Sequence, residues 1–308
     1  MHTRSTLFPG TGRPVARMIS ALAGFGLLAQ VGCGSTDASN DTSVILFTCS
    51  DVNAVTHVCS INASGDRFRR VNEFADNPAH SPSVSADGRR FAFTCPGTHG
   101  AASAICTMGI DRSARAIVID SVADSNTPRL ASDGRILFER RGAIYKSSPD
   151  GLVQTQLRPD FSSQAWMDWS PQEDRIVFPD NSGALLTMDT TGGTVDTLVN
   201  LDGTALTPRW SPDGKTVAFT LVDTATFAGD IWVVDVTTKQ SRPLTTFGTV
   251  GSPAWSPDGS RIVFSGLVNG LGNTQLFIMR ADGSEVVDLT KLSQARTASS
   301  PDWAADPP

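Results

Sequence analysis

Residues 208–220 read PRWSPDGKTVAFT, and residues 253–265 read PAWSPDGSRIVFS. Nearly the same thirteen residues occur twice, 45 positions apart, so the chain is built on a repeat. Working outward, one order of features recurs six times. A short apolar strand ends in Phe47, Phe93, Phe138, Phe178, Phe219 and Phe264. A second strand follows, as in HVCSI (57–61), AICTM (104–108) and DIWVV (230–234). A turn and a more polar third strand come next, and then the segment that opened the comparison. Its copies run from SPSVSADG (81–88) through TPRLASDG (127–134) and AWMDWSPQED (165–174) to a degenerate SPDWAADP (300–307). The turn aspartates fall 46, 41, 39, 45 and 48 residues apart.

The SPDG element reverses the chain in a tight hairpin. Pro presets φ near −65°, Asp accepts from amides ahead of it, and Gly takes the left-handed position. A Cβ at that glycine costs about 1–2 kcal/mol. The repeat thus serves architecture, and its residues are not catalytic candidates. Four short strands every 40–45 residues predict blades of a propeller, an all-β fold. Trp169, Trp210, Trp255, Trp303, Leu130 and Val84 share one repeat position, which predicts packing between blades rather than stacking on a cofactor.

In every unit but the first, the SPxW strand precedes the strand ending in Phe. Upstream of Val44 stands only GSTDASNDTS, and a spare copy, 299–304, lies at the C-terminus. The C-terminal strand is therefore expected to complete the first blade and close the ring, pairing edges that would otherwise be open.

Residues 1–32 read as a signal peptide. Arg4, Arg13 and Arg17 precede the uncharged stretch 18–31, which is short for a membrane span. The stretch ends in VGCGS, a sequence that resembles a bacterial lipoprotein signal with Cys33 as the lipid-bearing first residue. Gln30 stands where such signals usually carry Leu, and cleavage without a lipid is the alternative. Residues 33–42 form a polar tether and 43–308 the propeller. The expected location is the periplasm or cell surface, with the membrane touched only through the anchor.

The whole chain carries 25 Lys and Arg against 31 Asp and Glu, a net charge of −6. Without residues 1–32 it is 22 against 31, or −9. Lys and Arg form no runs, so nucleic acid is excluded as a partner, because phosphate neutralisation needs a basic surface.

Four further cysteines occupy two repeat positions in the first two units. Cross-strand disulfides Cys49–Cys59 and Cys95–Cys106 suit an exported chain. Each would close a loop of about ten residues, stabilising by roughly 2–3 kcal/mol in the chain-entropy model. A zinc site is the alternative, although no C-x₂-C pair is present.

The WSPDGxxIxF unit resembles the TolB-like propeller repeat, found also in propellers of prolyl oligopeptidase relatives and tricorn-type proteases. The resemblance spans 43–308 and implies six four-stranded blades. TolB carries an additional α/β domain ahead of its propeller, where a tether stands here. The peptidases append a hydrolase domain, and no G-x-S-x-G elbow is found in this chain.

For chemistry, His80 enters an innermost strand near the channel mouth, whereas His57 and His99 occupy other repeat positions. The residues before the Trp position read Ser83, Arg129, Asp168, Arg209, Ala254 and Asp302. They are expected to pair with one another or to meet a ligand. His80, Asn126, Arg129, Gln164, Asp168, Arg209 and Asp302 are thus the candidate ligand-binding set at the channel mouth. The expectation is a monomeric, non-catalytic binding module for an envelope protein or a cell-wall or carbohydrate ligand, with no cofactor. A metal-assisted carbohydrate lyase or hydrolase near His80 is the alternative.

Overall fold

The computed structural model describes residues 42–50, 53–72, 78–98, 103–120, 123–159, 166–267, 273–290 and 297–305. The expected signal segment, Cys33, His99 and Gln164 lie outside the described residues.

Among these described residues, twenty-four strands form six four-stranded antiparallel sheets, one per blade. Blade 1 contains β1 (Val44–Ser50), β2 (Thr56–Ile61) and β3 (Arg69–Arg70). Blade 2 contains β4 (His80–Val84), β5 (Arg90–Cys95), β6 (Ala104–Gly109) and β7 (Ala116–Ile119). Blade 3 contains β8 (Asn126–Leu130), β9 (Ile136–Arg140), β10 (Ala143–Ser147) and β11 (Gln154–Arg158). Blade 4 contains β12 (Asp168–Trp169), β13 (Arg175–Pro179), β14 (Leu185–Asp189) and β15 (Val195–Val199). Blade 5 contains β16 (Thr204–Trp210), β17 (Thr216–Val222), β18 (Gly229–Asp235) and β19 (Ser241–Pro243). Blade 6 contains β20 (Val250–Trp255), β21 (Arg261–Leu267), β22 (Thr274–Arg280) and β23 (Val287–Asp288). The last strand, β24 (Thr297–Ala304), returns to blade 1, giving the order β24-β1-β2-β3. Ile45 pairs with Trp303 and Cys49 with Ala298, so the C-terminus closes the ring as the repeat predicts.

Strand period decides what holds the blades together. Successive side chains point to opposite faces, and the second strand of each blade is buried on both. Phe47, Phe93, Phe138, Phe178, Phe219 and Phe264, one per blade, are fully buried. Burying each stabilises by about 1.5–3 kcal/mol. Each Phe packs toward the preceding blade, while the residue before it packs toward the following one. Phe93 joins Leu46 and Val58 of blade 1, and Ala92 joins Leu130 and Phe138 of blade 3. Six such clusters fill the six interfaces between blades. All draw on residues between 44 and 304. The propeller therefore builds its whole described core without a contribution from residues before 44, so it is expected to fold without the N-terminal segment.

Trp169 and Trp210 are buried in these interfaces, and Trp303 and Trp255 pack against them partly buried. The indole N–H groups of Trp169 and Trp255 donate to the carbonyls of Arg129 and Arg209 in the preceding blade, both at 3.1 Å.

The turns behave as read, with one difference. Gly88, Gly134, Gly214 and Gly259 sit at φ between 69° and 91°. In the fourth copy Glu173, at φ 55°, takes the glycine place, and its amide donates to Ser170 O as Gly214 donates to Ser211 O. Gln172, not Asp174, therefore occupies the aspartate place. Glu173 accepts the Ser132 amide at 2.6 Å and pairs with Arg135 at 3.1 Å, so it ties the turns of blades 3 and 4 together.

Both disulfides form, Cys49–Cys59 and Cys95–Cys106, with Cα separations of 5.9 and 5.8 Å. Each bridges strands that pair directly, two residues off register, since Cys49 lies opposite His57 and Cys95 opposite Ala104. The zinc alternative for these four cysteines is thereby set aside.

Candidate functional site

The innermost strands of neighbouring blades lie side by side around the channel, β24 beside β4 and β16 beside β20 among them. Each begins at one end of the propeller, called here the mouth end. Each runs to the opposite, turn end, where all but β24 lead into a hairpin turn.

Near the mouth, Ser81-Pro82, Thr127-Pro128, Thr207-Pro208, Ser252-Pro253 and Ser300-Pro301 break the strand register. A proline cannot donate to the ladder, so a bulge accommodates it. The residue before each proline takes a left-handed conformation, with φ of 53°, 48°, 50°, 55° and 49°. Threonines of the preceding blade hold two of these bulges: Ser81 N donates to Thr48 Oγ1 at 2.9 Å, and Ser252 N to Thr220 Oγ1 at 3.0 Å. The bulges turn five hydroxyl-bearing residues into the mouth. With Trp166, Arg129 and Arg209 they line a narrow cleft open to solvent.

Just inside lies the charged set. Asp168 Oδ1 is 3.7 Å from both Arg129 Nε and Arg209 Nη1, and Asp302 pairs with Arg209. The second carboxylate oxygens stitch blades: Asp168 accepts the Trp210 amide at 2.9 Å, and Asp302 that of Val84 at 2.8 Å. Ser83 does the same for Leu130 at 3.1 Å. Arg129 donates to the carbonyls of Met167, at 3.0 Å, and Pro128, at 3.2 Å. Burial pushes Arg129 down to about 10, helped by the Arg209 charge and opposed by Asp302 and Asp168, so it stays protonated at neutral pH. Burial raises Asp168 above the ordinary carboxylate value, against the pull of Arg209 and Arg129. Two arginines and two aspartates balance, and their charges are spent largely on one another.

The structure thus brings Arg129, Asp168, Arg209 and Asp302 together. His80 and Asn126 stand one residue before the mouth-lining Ser81 and Thr127. The His80 ring faces Ser81 Oγ at 3.1 Å, and burial lowers its pKa. The Asn126 amide reaches Glu139 at 3.5 Å. Among the described residues no three His, Cys, Asp or Glu side chains converge as a metal site would require.

Sequence reasoning missed two features. The Ser/Thr-Pro pair was legible as a recurring dipeptide, yet its role as a bulge depends on cross-strand register. The second is an apolar patch at the mouth end: Phe227 is 81 % exposed, Phe247 39 % and Leu267 48 %. Their loops touch. Gly229 N donates to Gly248 O at 3.1 Å and Leu267 N to Thr249 O at 3.0 Å. Asp230 fixes the Phe247 loop by accepting its amide at 2.7 Å.

Comparison with known proteins agrees with this geometry. Residues 172–307 match the family model of the TolB beta propeller domain. The uncharacterized protein Atu1656 of Agrobacterium fabrum is 29 % identical over 167 residues, 46 % of this chain and 54 % of that protein. The chain thus spans about half the length of that curated relative. TolB of Acinetobacter baumannii superposes with a TM-score of 0.72 at 18 % identity, covering 86 % of this chain and 67 % of that one. An oligogalacturonate lyase in complex with manganese gives 0.53 at 13 % identity, covering 80 % and 72 %. At such identities the likeness concerns the fold. Residues 172–307 match the TolB beta propeller domain, and the chain folds as a six-bladed β-propeller.

Proposed function

We propose that this chain is an exported, lipid-anchored binding module whose mouth end docks another protein of the cell envelope. The carrying observation is the exposed cluster of Phe227, Phe247 and Leu267 at that end. Clustered exposed aromatics on a soluble-type fold mark interaction surfaces. The cluster adjoins the mouth through residues 249–252, so a partner seated on it also meets the Ser/Thr ring. The TolB-like fold and the lipoprotein-type sequence before Val44 support an envelope setting. Arg129, Arg209, Asp168 and Asp302 then act chiefly as the frame that shapes the mouth.

The test is a Phe227→Ser, Phe247→Ser double variant. Neither side chain belongs to the core, so the fold should hold. A partner captured from the organism's own envelope by the parent protein should be lost.

A metal-assisted carbohydrate lyase is the second reading, favoured only by the fold it shares with the manganese-bound oligogalacturonate lyase. Manganese binding that disappears on His80→Ala would support it.

A further inference from the structure

The arginines that form no run in sequence gather in space at the turn end. Arg67, Arg69 and Arg70 belong to the turn and outer strand of blade 1. Arg89 and Arg90 flank the inner turn of blade 2, and Arg112 and Arg115 its outer turn. All seven are exposed, and the same turns hold only three acids, Asp66, Asp87 and Asp111. The corresponding turns of blades 3–6, counted to the same depth into the outer strand, carry seven basic against twelve acidic residues. One end of an acidic protein is therefore split into a basic third and an acidic remainder.

Two further observations fall on that basic third. The 148–153 turn of blade 3 leans on blade 2, so closely that a Cβ on Gly151 would lie 2.0 Å from Val118 O. Its tip presents Leu152, 83 % exposed, and Val153, 65 % exposed. The chain also enters the propeller here, since Ser43 Oγ accepts the Ala63 amide of the blade 1 turn at 3.1 Å. Ten residues separate Cys33 from Ser43, a reach of at most about 35 Å.

We propose that the turn end of blades 1–3 rests on an anionic lipid surface, with arginines on headgroup phosphates and Leu152 and Val153 in the acyl boundary. Basic residues around an exposed aliphatic tip, at the face where an anchored segment would join, match the chemistry of a bilayer surface. An extended polyanion would use the charge alone. A single lipid chain binds membranes weakly, and a basic patch supplies the second attachment. The mouth end would then face away from the bilayer, toward a partner. The orientation rests on the lipid-anchor reading; the surface does not.

The test uses residues 33–308 with Cys33→Ser, a folding unit without lipid, in sedimentation with phosphatidylglycerol-containing or pure phosphatidylcholine vesicles. The expected result is binding to the anionic vesicles alone, released by about 0.5 M salt. Arg67→Glu with Arg89→Glu should weaken it at least about tenfold. Leu152→Ser with Val153→Ser should weaken it about tenfold or more, salt notwithstanding. Equal binding to both vesicles, or none to either, overturns the proposal. So does arginine-dependent binding to a soluble polyanion without vesicle binding, which would make this a polyanion surface. Whether Cys33 carries lipid is read separately, by mass spectrometry of the membrane-fraction protein, so the two ideas fail independently.

Discussion

Asp302, on the C-terminal strand, accepts the backbone amide of Val84 in blade 2 at 2.8 Å while pairing with Arg209 of blade 5 across the channel. One carboxylate near the end of the chain thus ties three blades. Removing it leaves a buried guanidinium and an amide short of partners, so Asp302→Ala should cost about 3–5 kcal/mol. Deleting 297–308 should abolish cooperative unfolding, because it strips the edge of β1 and uncovers Phe47. Circular dichroism melts measure both, and a truncated protein that melts like the parent would refute the closure.

Gly151 is at φ 74° with Val118 O directly over it. Gly151→Ala combines left-handed strain with a clash against the backbone of blade 2. The loss should exceed the about 1–2 kcal/mol of strain alone. Gly259→Ala, whose nearest neighbour would be Pro212 at 3.7 Å, should cost only the strain. Equal denaturation midpoints for the two variants would contradict this difference.

Reduction of the disulfides should lower stability by roughly 2–3 kcal/mol for each loop. Denaturant unfolding with and without reductant, and of Cys95→Ala with Cys106→Ala, measures it. Insensitivity to reductant would show that the bridges do not constrain the unfolded chain.

Acid should destabilise the propeller through its turns. Hydroxyl and amide donors hold the turn aspartates below the unfolded value of 3.8, among them Asp87, Asp213, Asp258 and Asp282. Asp189 is held well below it by the Thr191 hydroxyl and three amides. A depressed carboxylate contributes stability above its unfolded pKa and loses it as pH falls through the folded one. Asp168 runs the other way, its raised pKa favouring the folded state as pH falls toward 3.8. The turns outnumber it, so the melting temperature should hold near neutral pH and drop below about pH 4. A melting temperature still rising at pH 3 would contradict that balance.

How much of this the sequence disclosed follows from what repeats record. Gly214 and Gly259, the six Phe residues and the spare strand at 299–304 are local patterns that determined blades and closure, and the matched repeat positions of Cys49, Cys59, Cys95 and Cys106 gave the disulfides. The bulges at Ser81 and Ser252 depend on which residue lies opposite in the next strand. The aspartate pattern misplaced Asp174, because Glu173 tolerates the left-handed site in return for bonds to blade 3. Arg67, Arg89 and Arg112 are about 22 residues apart and lie at one end only because the hairpin turns of blades 1 and 2 share it. Phe219 stands at the recurring strand-end position, whereas Phe227 falls in a loop on which the repeat is silent.

The central claim is that the mouth end docks an envelope protein. A photo-crosslinking residue placed at Phe227, and in a separate chain at the exposed Val195 on the outer edge of blade 4, tests it inside the cell. The account predicts one discrete protein adduct from position 227 and none from 195. Adducts from 195 alone, or none from either position, would contradict it.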